Sequence, residues 1–373
     1  MPHGRLMIVL SLFAVGVLGM PVLAGGQAAV LGPDQASGQP QAIEATGDVR
    51  GGVQVIKNLQ AAQLLAGRHF FYFLAGTTAN GQPLHVPVMV IKGAREGKKL
   101  ALTAAVHGDE LNGIAVIHQL ANSISPEMLS GTLIALPGVN QTGLLAGQRS
   151  FQSNNAGGKK TDPNRIFPGT RSGGNMAEQY VGAIWQGLLK NNADLAVDIH
   201  SQTTGSNYPL FVFADFRNPK ARAMAFALQP DLIKNDKGQK GTLETTFIQM
   251  SIPAVTFEVG GPKIFENHLV NRAVKGLKNL MVLEGMLEGS FDTEKPRPFV
   301  GSAVTNIKTK EAGTAHVKVK LLDVVEKGQL VAITVDPFGR EVRRYFAPHG
   351  GRVLSVATDP LSETGSMLVR VLR

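Results

Sequence analysis

An alternation of short apolar runs with longer amphipathic segments, from about residue 53 to 290, is the feature that most constrains the fold. The apolar runs have the length of buried strands, and they lie at residues 69–74, 84–91, 100–106, 132–136, 195–199, 210–214 and 254–259. Helices are predicted at 110–123, 175–190, 219–228 and 265–287. Strands that alternate with helices predict an α/β fold, whose mixed, mostly parallel sheet carries helices on both faces.

Histidines follow two of these predicted strands directly. His107 opens the sequence His-Gly-Asp-Glu, which ends on Glu110, and His200 closes the run at 195–199. If the chain turns into a helix after His107, the i,i+3 spacing puts His107 and Glu110 on one face, where both can reach one ion. Ligands of such sheets bind beyond the carboxyl ends of strands, where His200 also lies. Two histidines and a carboxylate predict one catalytic zinc ion per chain with an open fourth position.

Two acidic residues lie next to these candidate ligands. Asp198, two residues before His200, could orient that imidazole through a hydrogen bond. Asp109 could do the same for His107 or could face water. The ligand types leave the metal open, because two histidines and one carboxylate also suit other divalent ions.

A further candidate, Glu258, ends the predicted strand at 254–259 and precedes two glycines that let the backbone turn close to a ligand. A carboxylate between Phe257 and Val259 is costly to bury without a function. A metal hydrolase needs a positioned carboxylate to move protons, and Glu258 fits that need. An exposed glutamate at the end of a strand is the simpler alternative.

The sequence Asp-Pro-Asn-Arg at 162–165 lies between the two histidines. The guanidinium of Arg165 beside the amide of Asn164 suits a bidentate contact with a substrate carboxylate. Judged alone, however, this sequence is more simply an ordinary turn.

The N-terminal segment has the pattern of a secretory signal peptide. Arg5 precedes an apolar stretch at 6–18, and small residues at 22 and 24 predict cleavage after Ala24. Two glycines and a proline make the same segment a poor membrane span. We therefore expect an exported protein without stable membrane insertion after cleavage, periplasmic in a Gram-negative bacterium and otherwise secreted.

The 373 residues are predicted to form four parts. A signal peptide at 1–24 and a flexible leader at 25–50 precede a hydrolase domain at 51–295, and an all-β barrel-sandwich domain follows at 296–373. The last part contains two loosely similar halves, like the biotinyl/lipoyl carrier fold. No lysine lies between the halves, at 338–342. This domain is therefore predicted to be structural or a lid, and not a cofactor carrier.

Charge and cysteine content exclude several classes of protein. The net charge is +9, but the basic residues are scattered and lack interleaved aromatics, so we expect no nucleic-acid binding. Attraction to anionic substrates or to an anionic cell envelope is a better use of this charge. The chain has no cysteine, which excludes disulfides, thiolate metal sites and a lipid-modified cysteine.

Four sequence elements occur in an order that resembles the succinylglutamate desuccinylase/aspartoacylase family, a branch of the zinc carboxypeptidase (M14-type) superfamily. They span residues 100–262, and the β domain at the C-terminus is also typical of this family. The four elements are His107-Gly108-Asp109-Glu110, Asp162-Pro163-Asn164-Arg165, Asp198-Ile199-His200-Ser201 and Thr256-Phe257-Glu258-Val259-Gly260.

This resemblance implies a role for each candidate residue of the metal site. His107, Glu110 and His200 would bind Zn²⁺. Glu258 would be the general base and acid, taking a proton from the attacking water and passing it to the leaving amine.

The resemblance also implies the residues that contact the substrate. Asn164 and Arg165 would hold a carboxylate, and Arg149 is the nearest candidate for the arginine that polarises the scissile carbonyl. Pro163 stands where the family usually has leucine, which should stiffen the loop without removing either contact. The basic residue that selects an acidic amino acid has no clear equivalent, with Arg217 the nearest guess, so the substrate stays open.

These observations predict an exported zinc-dependent amidohydrolase that removes the acyl group from N-acyl amino acids. The alternative is a metallocarboxypeptidase that trims the C-terminal residues of peptides, including cell-wall peptides. Short insertions and the C-terminal domain favour the first, whereas the export signal favours the second. A third hypothesis is a catalytically silent binding protein, against which an intact Glu258 argues.

Overall fold

A computed structural model describes residues 41–154, 160–290 and 297–373. The predicted signal peptide lies outside these residues. Within them, no helix has both the length and the apolar character needed to cross a membrane. Twelve strands come first along the chain: β1 (Ile43–Arg50), β2 (Val53–Leu59), β3 (Gly67–Thr77), β4 (Pro83–Lys92), β5 (Arg95–Ala104), β6 (Ser130–Leu136), β7 (Leu195–His200), β8 (Ser206–Asn207), β9 (Leu210–Ala214), β10 (Leu232–Asn235), β11 (Ala254–Val259) and β12 (Phe299–Gly301).

Eleven of these strands form one sheet in the order β1-β2-β3-β4-β6-β5-β7-β11-β9-β10-β12. Six of its ten neighbouring pairs are parallel, and they include the central pairs β6–β5, β5–β7 and β7–β11. The prediction of a mixed, mostly parallel sheet is therefore confirmed.

Six α-helices connect or cover the strands: α1 (Asn112–Ser123), α2 (Gln141–Ala146), α3 (Met176–Ile184), α4 (Pro219–Ala227), α5 (Leu243–Gln249) and α6 (Asn267–Leu283). Helices α1, α4 and α6 bury their apolar residues in one core on one face of the sheet. Residues of α3 and α5 belong to a second core on the other face, which includes Ala101, Ala196 and Ala254 of the central strands. Helices thus cover both faces, as predicted.

The C-terminal part has eight strands: β13 (Val304–Lys308), β14 (Gly313–Val317), β15 (Val324–Val325), β16 (Leu330–Val335), β17 (Glu341–Phe346), β18 (Gly351–Ala357), β19 (Leu361–Ser362) and β20 (Met367–Leu372). They form two small sheets, β13-β20-β18-β15 and β17-β16-β14-β19. The predicted all-β domain is therefore present. Strand β8 of the preceding domain adds to the first sheet by pairing with β18.

Two predicted boundaries differ from the structure. Strand β1 lies inside the segment predicted as a flexible leader, because Ile43–Arg50 pairs antiparallel with β2 across a turn at Gly51 and Gly52. Strand β12 pairs with β10 in the large sheet, although it lies within the range predicted for the β domain.

The register of the central strands sets up the candidate site. Thr103 of β5 lies beside Asp198 of β7, and His200 at the end of β7 lies beside Glu258 of β11. Alternate residues of a strand point to the same face, so Asp198 and His200 share one face. This is the face covered by α3 and α5, since Ala196 belongs to their core.

Candidate active site

The first two candidate ligands lie in a turn between β5 and α1. Ala105 has a φ of 54°, which ends β5 two residues before the predicted end of the strand. Helix α1 begins only at Asn112, so the predicted helical placement of His107 and Glu110 is wrong. They still face each other, because the Glu110 amide donates to the His107 carbonyl at 3.2 Å and closes the turn.

Close packing fixes this turn against the loop after β6. A Cβ atom on Gly108 would lie 2.0 Å from the carbonyl carbon of Gly143, so only glycine fits. The backbone amide of Asn140 donates to the Ala105 carbonyl at 2.9 Å. These contacts hold the backbone between the two candidate ligands in one position.

His200, the third candidate ligand, is oriented by Asp198, which lies two residues earlier on β7. The Asp198 carboxylate lies 2.7 Å from Nε2 of His200 and accepts a second hydrogen bond from Thr103 at 2.6 Å. This is the contact expected for Asp198. A carboxylate at Nε2 fixes the proton there and leaves the lone pair at Nδ1.

His107 is oriented in the same way by Asp162, whose Oδ1 lies 3.1 Å from Nε2. Both imidazoles therefore present Nδ1 to Glu110, at 2.8 Å for His107 and 2.7 Å for His200. The sequence assigned no role to Asp162. The position of Asp162 directly before Pro163 was the only sequence hint, because an aspartate there can cap the following turn. Its side chain does so by accepting a hydrogen bond from the backbone amide of Asn164 at 2.9 Å.

The three side chains fit a metal ion. Their ligand atoms lie within 4.8 Å of one another, and all three residues are buried. The two Nδ1 atoms are 3.2 Å apart. This agrees with the separation of about 3.3 Å expected for two nitrogen ligands that each lie 2.0–2.1 Å from a tetrahedral ion. The arrangement therefore can hold one divalent cation.

Charge complementarity holds this group together. Burial alone would raise the pKa of Glu110, but the neighbouring charges of His107 and His200 hold it well below its usual value. Burial would lower the pKa of His200, but the carboxylates of Asp198 and Glu110 raise it well above its usual value.

Arg149 lies beside the candidate ligands. Its guanidinium donates to Glu110 Oε1 at 3.2 Å and to Asp162 Oδ2 at 3.0 Å. Burial would lower the pKa of Arg149, but these two carboxylates raise it. About a third of the side chain stays exposed, so the guanidinium can also contact a ligand.

Asn164 and Arg165 lie on the same loop as Asp162. The Asn164 oxygen accepts from the Leu243 amide at 2.8 Å, and its Nδ2 lies 3.3 Å from Nε2 of His200. Arg165 is exposed and is anchored by a 2.7 Å bond to the Asn164 carbonyl.

Glu258 is buried, with 8 % of its surface exposed. Its Oε2 atom has no hydrogen-bond partner among the described residues. Burial raises the pKa of Glu258 to about 8, and the charge of His200 acts against this rise. The simpler alternative of an exposed glutamate is therefore wrong.

Two other expectations have different outcomes. Asp109 is buried and does not face water, and its Oδ2 accepts hydrogen bonds from Thr203 and Thr204, whereas no hydrogen bond to His107 is found within the described ranges. Arg217 is largely exposed and pairs with Asp215, so its own contacts give no support for a role in the site.

A second buried carboxylate on this face leads to a pH prediction. Burial raises the pKa of Glu244 from about 4.5 to about 8, and its side chain accepts from Thr256 at 3.0 Å. The folded protein keeps this proton where the unfolded chain releases it, so Glu244 lowers stability as the pH rises from about 4.5 to 8. Glu244→Gln should therefore raise the free energy of unfolding at pH 8 by about 1–4 kcal/mol, with little change at pH 4.5.

Thermal unfolding of both proteins at the two pH values measures this difference. Glu326→Gln, at an exposed position, is the matched control and should change neither value. An equal gain from Glu244→Gln at both pH values would show that proton binding is not its cause.

Comparisons with known proteins agree with this geometry. A model of the succinylglutamate desuccinylase/aspartoacylase catalytic domain matches residues 96–283, about half of the chain. N-alpha-acetyl-L-2,4-diaminobutyric acid deacetylase of Halomonas elongata is 26% identical over 263 residues, which are 67% of this chain and 74% of the relative.

Two solved structures share the fold. The product-bound ectoine utilization protein EutE of Ruegeria pomeroyi has a TM-score of 0.73 at 24% identity, over 89% of this chain and 99% of that chain. A succinylglutamate desuccinylase from a Silicibacter species has a TM-score of 0.71 at 24% identity, over 83% and 96% of the two chains. The family match covers β5 to α6, which supply all three candidate metal ligands and Glu258. The chain therefore belongs to the succinylglutamate desuccinylase/aspartoacylase family.

Proposed function

We propose that this protein is a zinc-dependent amidohydrolase that removes the acyl group from small N-acyl amino acids. One observation carries the proposal. The buried set of His107, Glu110 and His200 lies beside Glu258, a buried carboxylate with an unpaired oxygen, at the carboxyl ends of adjacent strands. The relative from Halomonas elongata, by its name a deacetylase of an N-acetyl amino acid, supports the substrate class.

His107, Glu110 and His200 would hold the zinc ion through two Nδ1 atoms and the carboxylate. When bound, the ion would polarise the amide carbonyl and lower the pKa of a water molecule. The Nε2–carboxylate contacts of both histidines hold a proton at Nε2 and direct Nδ1 at this position, where its lone pair can bind the ion. We propose zinc over other divalent ions because this ligand set is typical of catalytic zinc.

The remaining residues would bind the substrate and move the proton. Arg165 and the amide of Asn164 would hold the amino-acid carboxylate. Arg149 would donate to the carbonyl oxygen as negative charge develops there, a form of stabilisation that usually dominates acyl-transfer catalysis. Glu258 Oε2 would accept a proton from the attacking water and pass it to the leaving nitrogen.

Export is a further proposal, based on the signal-peptide pattern of residues 1–24. The mature protein would begin at Gly25 and act in the periplasm or outside the cell. Mass spectrometry of the secreted protein would reveal this N-terminus, and an uncleaved Met1 in the purified extracellular fraction would contradict it.

The proposed function is tested by mass spectrometry of reaction products. The protein is incubated with Zn²⁺ and a mixture of N-acyl amino acids and short peptides, in parallel with Glu258→Gln. Release of free amino acids from the acylated compounds, absent from the variant, is the expected result. Loss of C-terminal residues from the peptides alone would identify a metallocarboxypeptidase and overturn the deacylase proposal. Binding of these compounds without any product would support a silent binding protein instead.

A further inference from the structure

The loop at 201–208, which directly follows His200, connects the two domains. On its inner side the loop contacts the turn after Glu258, because the backbone amide of Gln202 donates to the Gly260 carbonyl at 2.9 Å. A Cβ atom on Gly261 would lie 2.9 Å from Oδ1 of Asn207, so the loop packs closely against this turn. A movement of the loop would therefore displace the backbone at the end of β11.

On its outer side the same loop is held by the C-terminal β domain. Strand β8 within the loop pairs with β18. The Thr358 amide donates to the Gly205 carbonyl at 3.0 Å, and the Gln202 side chain donates to Ser355 Oγ at 3.2 Å in a buried position. The position of the loop thus depends on a domain that supplies none of the candidate metal ligands.

Tyr208 carries this connection toward Glu258. Its ring is buried, and it packs with Phe211, Leu354 and other residues in a core shared by the two domains. Arg370 on β20 donates to the Tyr208 hydroxyl. The Tyr208 and Phe211 rings pack with their centroids 5.5 Å apart. Phe211 lies directly opposite Glu258 where β9 pairs with β11, so the side chains of Phe211 and Glu258 are neighbours on one face of the sheet. Burial and the charge of Glu258 together raise the pKa of Tyr208 to about 12, in keeping with this placement.

The cation of Arg370 is itself confined. Its Nε atom is buried without a hydrogen-bond partner among the described residues, so its bond to the Tyr208 hydroxyl restrains both side chains. Glu258 Oε2 is likewise buried without such a partner. With no hydrogen bond to fix that oxygen, the orientation of the carboxylate depends on the side chains packed around it.

We propose that Arg370 is a positioning residue for the general base: it fixes Tyr208, and Tyr208, through its packing on Phe211 opposite Glu258, fixes the orientation of the Glu258 carboxylate. This inference rests on the proposed function of Glu258. The C-terminal domain then contributes to catalysis across the domain boundary. The effect should fall on kcat, because in the proposed function the substrate carboxylate binds elsewhere, at Asn164 and Arg165.

The test compares Arg370→Met with Arg370→Lys in the full chain. A misplaced catalytic group costs roughly 10–100-fold in rate, so Arg370→Met should lower kcat about tenfold or more with little change in KM. Arg370→Lys keeps a charged donor and should restore most of the rate. Arg352→Met is the matched control, since Arg352 is a similarly half-buried arginine on β18 that bonds to Leu322 and not to the loop.

A crystal structure of Arg370→Met gives a readout that does not depend on activity. It should show the side chains of Tyr208 and Glu258 displaced while His200 stays in place. If that variant does not fold, Tyr208→Phe, which removes only the oxygen that Arg370 contacts, replaces it in the comparison.

Several outcomes would overturn the inference. They are an unchanged kcat, an equal loss in Arg352→Met, no recovery in Arg370→Lys, or an unmoved Glu258 in the crystal structure. A loss that saturating zinc restores would also overturn it, because the effect would then act through His200. If the unaltered protein released no amino acid from N-acyl amino acids, the proposed function would fail, and the crystal structure would still decide whether Arg370 positions Glu258.

Discussion

Replacement of Glu258 by glutamine is expected to lower kcat/KM by about 10²–10⁴-fold while the protein still binds its metal. Glutamine has nearly the shape of glutamate but cannot accept the proton. The residue is not among the three candidate ligands, so the metal site should remain intact. Because Oε2 makes no hydrogen bond to any described residue, the substitution disrupts no network. Steady-state kinetics and the metal content of the purified protein measure the two effects.

Glu244→Gln is the matched control for this prediction. Glu244 is also buried, and burial likewise raises its pKa to about 8. It lies on α5 and contacts Thr256, and the proposed reaction does not use it. If both substitutions reduced activity equally, loss of a buried carboxylate in general would explain the result, and a specific proton transfer by Glu258 would be excluded.

The residues of the candidate metal site could be found from the sequence because strand ends are local signals. His107, His200 and Glu258 each follow an apolar run, and parallel strands bring their carboxyl ends to one edge of the sheet. The prediction needed no knowledge of side-chain contacts. It erred where local geometry mattered, since the positive φ of Ala105 replaced a predicted helical start with a turn.

Contacts between distant segments could not be predicted in the same way. Asp162 reaches His107 across 55 residues, and Arg370 reaches Tyr208 across 162. No periodicity links such pairs, because each depends on how separate elements pack. Strand β1 was missed for another reason: most of its residues are exposed, so it lacks the apolar run by which the other strands were recognised. The sequence thus indicated the candidate ligands better than the residues that orient them.

Removal of the metal with a chelator is expected to abolish activity, and added Zn²⁺ to restore it. Both imidazoles and the Arg149 guanidinium lie within hydrogen-bond distance of Glu110, so these side chains can hold one another in place when the ion is removed. Recovery should therefore need no refolding. Activity and metal content are followed together during chelation and during stepwise return of Zn²⁺, with Mn²⁺ and Co²⁺ in parallel to test the identity of the ion.

Two variants distinguish the loss of a metal ligand from the loss of a residue that only orients a ligand. Glu110→Gln replaces a ligand, so added Zn²⁺ should not restore its activity. Asp198→Asn keeps all three ligands but replaces the carboxylate on His200 Nε2, and such losses reduce metal affinity by about 10–100-fold. Its activity should therefore return at higher Zn²⁺ concentration. Activity that persisted after chelation had reduced the metal content to background would contradict a metal-dependent reaction, because Glu258 alone cannot supply the polarisation of the carbonyl that amide hydrolysis requires.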